Sequence, residues 1–267
     1  MNAFELQRPT TVAQAVAALS AAEDGRAIAG GQSLLPAMKL GLAAPSALVD
    51  LSRVEGLSGI TVSAGTLRIG GMTTHATVAA SAEVKAALPA LAHLAGGIGD
   101  PGIRERGTIG GSLANNDPAA CYPAAILALQ ATVHTDRRQI AAQDFLLGLY
   151  ETALEPGELI TAVEFPIPDR AAYIKFLQPA SRFALVGVFV ARDAGGVRVA
   201  ATGAAAVAFR VEALENALNA NWSAKACQGV QIDASTLSSD LHATAGYRAH
   251  LISILAGRAV EQADSLA

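Results

Sequence analysis

Apolar positions along this chain change period several times, and each change marks an element. Residues 4–7 read as a short strand stopped by Pro9. Val12, Val16 and Leu19 then recur at helical spacing behind Thr10 or Thr11, either of which offers a capping hydroxyl. Asp24-Gly25 ends that helix, residues 26–29 form a β-like run, residues 34–40 one or two helical turns, and residues 47–51 another strand. The chain therefore opens as a βαβ pattern, in which ligands lie at the carboxyl ends of strands.

A second unit begins where residues 60–62 and 67–69 flank Ser63-Ala64-Gly65-Thr66, a hairpin signal. Thr73-Thr74-His75 opens a helix to about Ser81, and residues 83–95 give two helical pieces broken near Pro89. Residues 96–102, rich in breakers, predict a loop. A helix over 123–129, a strand over 131–135, a turn at Asp136-Arg137-Arg138 into Gln139-Ile140, and a strand over 159–165 follow, punctuated by Pro166 and Pro168. Three strand candidates then come in succession, 173–176, 185–191 and 197–205, the last two joined through Asp193-Ala194-Gly195-Gly196. Helices over 211–218 and 242–262 complete the chain, the latter carrying Tyr247, Leu251, Ile254 and Leu255 at helical spacing. Strands followed by helices make this last part an α+β unit of roughly 100 residues.

Two stretches interrupt the pattern: Ala29-Gly30-Gly31-Gln32-Ser33-Leu34-Leu35-Pro36 and Thr108-Ile109-Gly110-Gly111-Ser112-Leu113-Ala114-Asn115-Asn116-Asp117-Pro118. A glycine pair lets the backbone take positive φ and approach a ligand without a Cβ between them, and successive N–H groups can converge on an anion. One such pair reads equally as a tight turn after a strand. Two of them, each after a β-like run, can face a pyrophosphate from both sides.

Composition narrows the classes. The 267 residues suffice for one large domain or two or three small ones. Apolar residues make up 52% but aromatics only 4%, so alanine and glycine fill the helix contacts. Charged residues are 16%, which leaves apolar or small surface and favours burial against partner chains. A net charge of -4 argues against nucleic acid, which demands a basic face. The N-terminus lacks a signal-peptide pattern, and the longest apolar run, 123–133, is too short for a membrane span, so the chain reads as cytoplasmic. Cys121 and Cys227 alone exclude a disulfide framework and any four-cysteine iron–sulfur or zinc site within the chain.

The usual catalytic constellations are missing. His75, His93, His134, His242 and His250 show no metal-ligand spacing, and no HExxH, GxSxG or P-loop pattern occurs. No GxGxxG follows a strand, so hydrolase, kinase and nicotinamide-dehydrogenase readings are weak and no catalytic or metal-binding residue is assigned. His75 stands at a strand-to-helix junction, where it either approaches a cofactor or helps cap the helix. His93 and Cys121 read as structural, Trp222 as an anchor for the C-terminal packing, and Asp117, ahead of Pro118, as a cap.

The two glycine stretches resemble the FAD pyrophosphate loops of the medium, flavin-binding subunits of molybdenum hydroxylases, the group of the xanthine dehydrogenases and aerobic carbon monoxide dehydrogenases. The resemblance continues through Gly99-Asp100-Pro101 to Gly107 and through Pro179-Ala180-Ser181-Arg182-Phe183-Ala184-Leu185-Val186-Gly187, and so covers essentially the whole chain. It implies an α+β, two-subdomain FAD-binding fold of the PCMH/VAO type, an α/β part over 1–57 and a second part over 58–168. A C-terminal α+β domain over 169–267, with a three-stranded antiparallel sheet and helices, follows. It implies that Gly30, Gly31, Gln32 and Ser33, with Thr108, Gly110, Gly111 and Ser112, hold the diphosphate through backbone N–H and hydroxyl groups. Ala29, Leu34 and Ile109 support these turns, and Asn115, Asn116 and Asp117 approach the ribityl chain or ring. Residues 178–183 bring the third domain toward the isoalloxazine. Many members carry an acidic residue where this chain has Cys121, and some a histidine where it has Gln32.

The resemblance also implies partners: a large subunit with a molybdopterin cofactor and a small one with two-iron two-sulfur clusters, in a dimer of heterotrimers. FAD here would pass electrons to an external acceptor. Two other readings compete: a self-contained VAO-type flavoprotein oxidase or reductase, and an assembly module that binds no flavin.

Overall fold

A hydroxyl sets the first helix. Thr11 accepts from the Gln14 N–H while the Gln14 side chain accepts from the Thr11 N–H, a reciprocal capping box that fixes where the chain turns from strand to helix. The computed structural model describes residues 2–266. Its first unit comprises β1 (Glu5–Gln7), α1 (Val12–Ala21), β2 (Gly25–Ile28), α2 (Leu34–Lys39) and β3 (Ala47–Asp50). The three strands are parallel in the order β1-β3-β2, so the central β3 is the most buried, with Ala47, Leu48 and Val49 inside and Val49 packed with Ala15 and Leu19 of α1.

The second unit is built on an antiparallel sheet. β4 (Ile60–Ser63) and β5 (Thr66–Gly70) form the expected hairpin, and Ala64 and Gly65 take the positive φ angles its turn needs. Six helices follow: α3 (His75–Ala80), α4 (Ala82–Ala87), α5 (Pro89–Gly96), α6 (Pro101–Arg106), α7 (Ile109–Asn115) and α8 (Tyr122–Ala128). Next come β6 (Thr132–Thr135), β7 (Gln139–Ala141), α9 (Ala142–Phe145), the small hairpin β8 (Leu146–Gly148) and β9 (Glu151–Thr152), and β10 (Ile160–Pro166). β10 runs up the middle of the sheet, whose order is β4-β5-β10-β6-β7.

The C-terminal unit consists of β11 (Arg170–Leu177), β12 (Ala184–Asp193), β13 (Gly196–Thr202), β14 (Phe209–Arg210), α10 (Glu212–Ala220) and α11 (Ala245–Ser265). To the three expected antiparallel strands the structure adds β14, two residues long. Both faces of this sheet are covered. Ala172, Val188, Val190 and Val199 pack among residues of α10 and α11, whereas Tyr173, Phe189, Ala191 and Ala200 belong to the core of the second unit. Strand alternation thus makes one sheet serve two cores and ties the C-terminal unit to α5 and α8.

Three expectations are corrected. Residues 101–106 are helical, because Asp100 accepts from the Ile103 N–H and Pro101 occupies the first helical position. The final helix starts at Ala245, capped by Thr244, and its buried stripe runs through Arg248, Leu251, Ile252, Leu255 and Ala259, leaving Tyr247 and Ile254 outside. The third correction, at the second glycine pair, belongs to the site. No helix among the described residues is long and apolar enough to cross a membrane.

Candidate functional site

β2 delivers the first glycine stretch at its carboxyl end. Gly31 has φ +72°, a conformation that side chains resist, and a Cβ on Gly30 would collide with the Arg106 carbonyl and Gly107 Cα. The backbone N–H groups of Gly31, Gln32 and Ser33 find no acceptor among the described residues, while the Gln32 amide donates to the Gly30 carbonyl at 3.1 Å. This loop is thus a short run of uncommitted donors held against the chain just before α7.

The second glycine pair is not a loop and follows helix α6, not a strand. Thr108 caps α7, its Oγ1 accepting from the Gly111 N–H at 3.1 Å, and Gly110 and Gly111 are helical. The Gly110 N–H donates to the Gly71 carbonyl at 2.8 Å, and a Cβ there would come within 2.6 Å of that oxygen. Both N–H groups are therefore spent inside the chain, and the pair serves clearance: Gly110 lets α7 press on the backbone after β5, and Gly111 faces Ala29. Tertiary contact overrides the low helix propensity of glycine here.

Between the two stretches lies a groove of about 590 Å³, within the size range of small-molecule and cofactor sites. Its lining includes Ala29, Gly30, Gly31, Gln32, Ser33, Leu34, Thr108, Gly110, Gly111 and Ser112, and also His75, Asn115 and Asp117. Ile109 is the exception among the expected residues: its side chain is fully buried in the core of the second unit, because the first turn of α7 points it inward. Asn116 also turns away. It ends α7 with φ +41° and its amide donates to the Gly148 and Glu151 carbonyls at 2.9 and 2.8 Å, holding the β8–β9 hairpin. Asp117 does what a cap does, accepting from the Ala119 N–H at 2.8 Å, while its other oxygen accepts from the Tyr150 hydroxyl at 3.3 Å beside the groove.

His75 opens α3 and is 5% exposed, with Nδ1 lacking a partner. Burial, helped by the Arg104 guanidinium, pushes its pKa down to about 4, so the imidazole is neutral near pH 7. A Cβ on Gly107 would stand 2.6 Å from its Nε2, so the glycine gives the ring its place.

Several lining residues carry no motif. Glu158 is fixed by Thr135, Arg138 and the Glu155 N–H, and the Arg138 hydrogen bonds hold its carboxyl down to about 2. Lys175, on β11, sends its ammonium to the Gly97 carbonyl at 2.7 Å, the Arg182 carbonyl at 3.0 Å and Cys121 Sγ at 3.5 Å. Register alone could have found it, since Lys175 shares the Ala171–Tyr173 face that meets the second unit. Ser181, Arg182 and Phe183 line the groove, and Cys121 is buried beside it.

The residues fit a flavin dinucleotide: uncommitted N–H donors, a narrow space between the two stretches that a side chain at Gly111 would fill, and a buried ring nitrogen without a partner. Fold and groove together define a flavin-binding protein of the two-subdomain kind. Residues 2–168 match the family described as FAD binding domain in molybdopterin dehydrogenase. The chain is 37% identical to the nicotine 6-hydroxylase medium subunit of Paenarthrobacter nicotinovorans, over 99% of both chains. It is 35% identical to the carbon monoxide dehydrogenase medium chain of Afipia carboxidovorans, over 100% of this chain and 98% of that one. Among solved structures, a Cu,Mo-CO dehydrogenase in its cyanide-inactivated form aligns with TM-score 0.90 and 33% identity, covering 100% of this chain and 99% of the other. Quinoline 2-oxidoreductase from Pseudomonas putida 86 aligns with TM-score 0.89 and 30% identity, covering 99% and 98%. The chain belongs to the FAD-binding medium subunits of the molybdenum hydroxylases and is an oxidoreductase subunit.

Proposed function

We propose that this chain is the FAD-binding electron-transfer subunit of a cytoplasmic heterotrimeric molybdenum hydroxylase. A large partner subunit carries the molybdopterin cofactor and oxidises substrate. A small one carries two-iron two-sulfur clusters that feed electrons to this chain, which passes them to an external acceptor, and two such heterotrimers form the complex. The observation that carries the reading is the groove in which residues 29–34 and 108–112 face one another. Two cysteines, both free and buried, are too few for such clusters, so the clusters belong to a partner.

The residues proposed to hold FAD are those of the groove. The N–H groups of Gly31, Gln32 and Ser33 and the hydroxyls of Ser33 and Ser112 supply donors for the diphosphate. Gly30, Gly110 and Gly111 give backbone clearance, with Ala29, Leu34 and Thr108 as the walls. His75, Asn115 and Asp117 contact the rest of the cofactor. Bound FAD supplies the exchange between single electrons and electron pairs, so no acid–base pair is required of this chain. His75 remains neutral and gives the site a polar, uncharged edge. The proposed division at 1–57, 58–168 and 169–267 is supported by the strands of the main sheets, which lie within 5–50, 60–166 and 170–210.

The test is to purify the chain from its host, identify any flavin released on denaturation, and assay co-purifying subunits for iron and molybdenum. FAD with two such subunits is the expected result. FAD without partners, bleached by a small substrate, overturns the relay in favour of a self-contained oxidase. A folded, colourless chain that takes up no FAD overturns the cofactor assignment.

A further inference from the structure

The groove carries charged side chains of both signs, but they are not equally free to act on a ligand. Glu158 is bonded to Arg138, and Arg26 is paired with Asp24. Asp117 has one oxygen on the Ala119 N–H and the other on the Tyr150 hydroxyl. Arg182 lines the groove with an exposed side chain that water screens. Lys175 differs from all of these. It is half-buried, and its ammonium is fixed from three sides by two carbonyls and a thiol, none of which carries a countercharge as a carboxylate would. Among the described residues no carboxylate lies within ion-pair distance of it. A fixed cation at a partly desolvated wall projects its charge into the cavity far more strongly than the same cation in water.

We propose that Lys175 is a positioning cation that raises the reduction potential of the bound cofactor. The inference rests on the FAD reading above. When FAD takes up two electrons and one proton from a reductant, its ring ends one unit more negative, so a fixed positive charge at the groove wall binds the reduced form more tightly than the oxidised one. That difference in affinity is a shift of potential. The ammonium is well placed for this, because it joins the end of α5, the segment ahead of α8 and the turn at 178–183, and cannot swing away to solvent without breaking three contacts.

The experiment is a dithionite titration of FAD in the whole chain, with flavin content measured separately, for the parent and for Lys175→Met, Lys175→Gln and Lys175→Arg. The two neutral variants are expected to titrate about 30 mV or more to the negative side, the equivalent of a tenfold change in a two-electron reduction constant. Lys175→Arg, which keeps the charge, is expected to stay near the parent. A role confined to tying elements together would change thermal stability in all three variants and leave the potential where it was. Lys175→Gln keeps an N–H donor for the carbonyls and maintains the test if Lys175→Met does not fold. Parent-like potentials in the neutral variants at full flavin content overturn the proposal, as does weaker FAD binding with no shift of potential. A parent chain that binds no FAD is a different result and removes the cofactor assignment itself.

Discussion

Gly111 faces Ala29: a Cβ added to Gly111 would lie 3.2 Å from the Ala29 Cβ and 3.0 Å from Thr108 Oγ1. The two glycine stretches, some 80 positions apart in the chain, therefore share one small space. Gly111→Val puts three carbons into it. Helix propensity does not oppose the change, and the atoms that must give way, Thr108 Oγ1 and Ala29 Cβ, belong to side chains and not to backbone. We expect FAD content to fall by about tenfold or more, roughly 1.4 kcal/mol of binding, with the circular dichroism spectrum retained. Full flavin content in this variant would sink the assignment of the groove.

Gly30→Ala has the opposite signature. Its Cβ meets backbone, the Arg106 carbonyl and Gly107 Cα, which no rotamer can relieve. The loop and the end of α6 must separate, at a cost of about 1–3 kcal/mol. Urea unfolding of the flavin-free chain reads this directly: a lower midpoint with an unchanged slope is expected, and an unchanged midpoint refutes the contact.

These two glycines also show what was legible in the sequence. The first stretch reads correctly because its turn is local: Gly31 needs positive φ, and the strand and helix around it announce themselves by period. The second reads as a turn because glycine pairs usually make one. It is a helix because Thr108 caps it and Gly110 packs on the Gly71 backbone, a contact nearly 40 positions away in the chain. Many of the residues that line the groove were thus singled out by the sequence, but Ile109 lies outside it, Glu158 and Lys175 were missed, and which N–H groups remain free was not legible. Strand alternation puts Lys175 on the face of Ala171 and Tyr173, but its contact with the end of α5 was not legible, because its partner Gly97 lies 78 positions back. The stripe of α11 was misjudged by a fraction of a turn, since spacing gives a period but packing chooses the face.

Cys121→Ser tests the buried thiol. Serine keeps an acceptor for the Lys175 ammonium, so flavin content is expected to match the parent, with a loss of about 1 kcal/mol for a hydroxyl in a largely apolar site. In the complex the iron–sulfur signal should be unaltered. Its loss would mean that this thiol is a cluster ligand and that the clusters are not confined to a partner.

His75 makes stability depend on pH in a calculable direction. Its folded-state pKa is lowered from 6.5 to about 4 by burial and by Arg104. Between these values the unfolded chain binds a proton that the folded chain refuses, so acid favours unfolding. Above pH 6.5 both states are neutral and the group contributes no pH dependence. As pH falls through the window the penalty grows, and below about 4 it is complete. A difference of 2.5 units corresponds to about 3 kcal/mol at most. His75→Leu removes the titration while keeping an apolar contact for Tyr122. Urea unfolding at pH 7.5 and 4.5 should therefore show the parent losing about 2–3 kcal/mol more than the variant on acidification. Parallel losses in the two proteins would mean that the folded chain protonates His75 as readily as the unfolded chain does, so that its pKa is not lowered and below about 6.5 it becomes a second cation beside the cofactor groove.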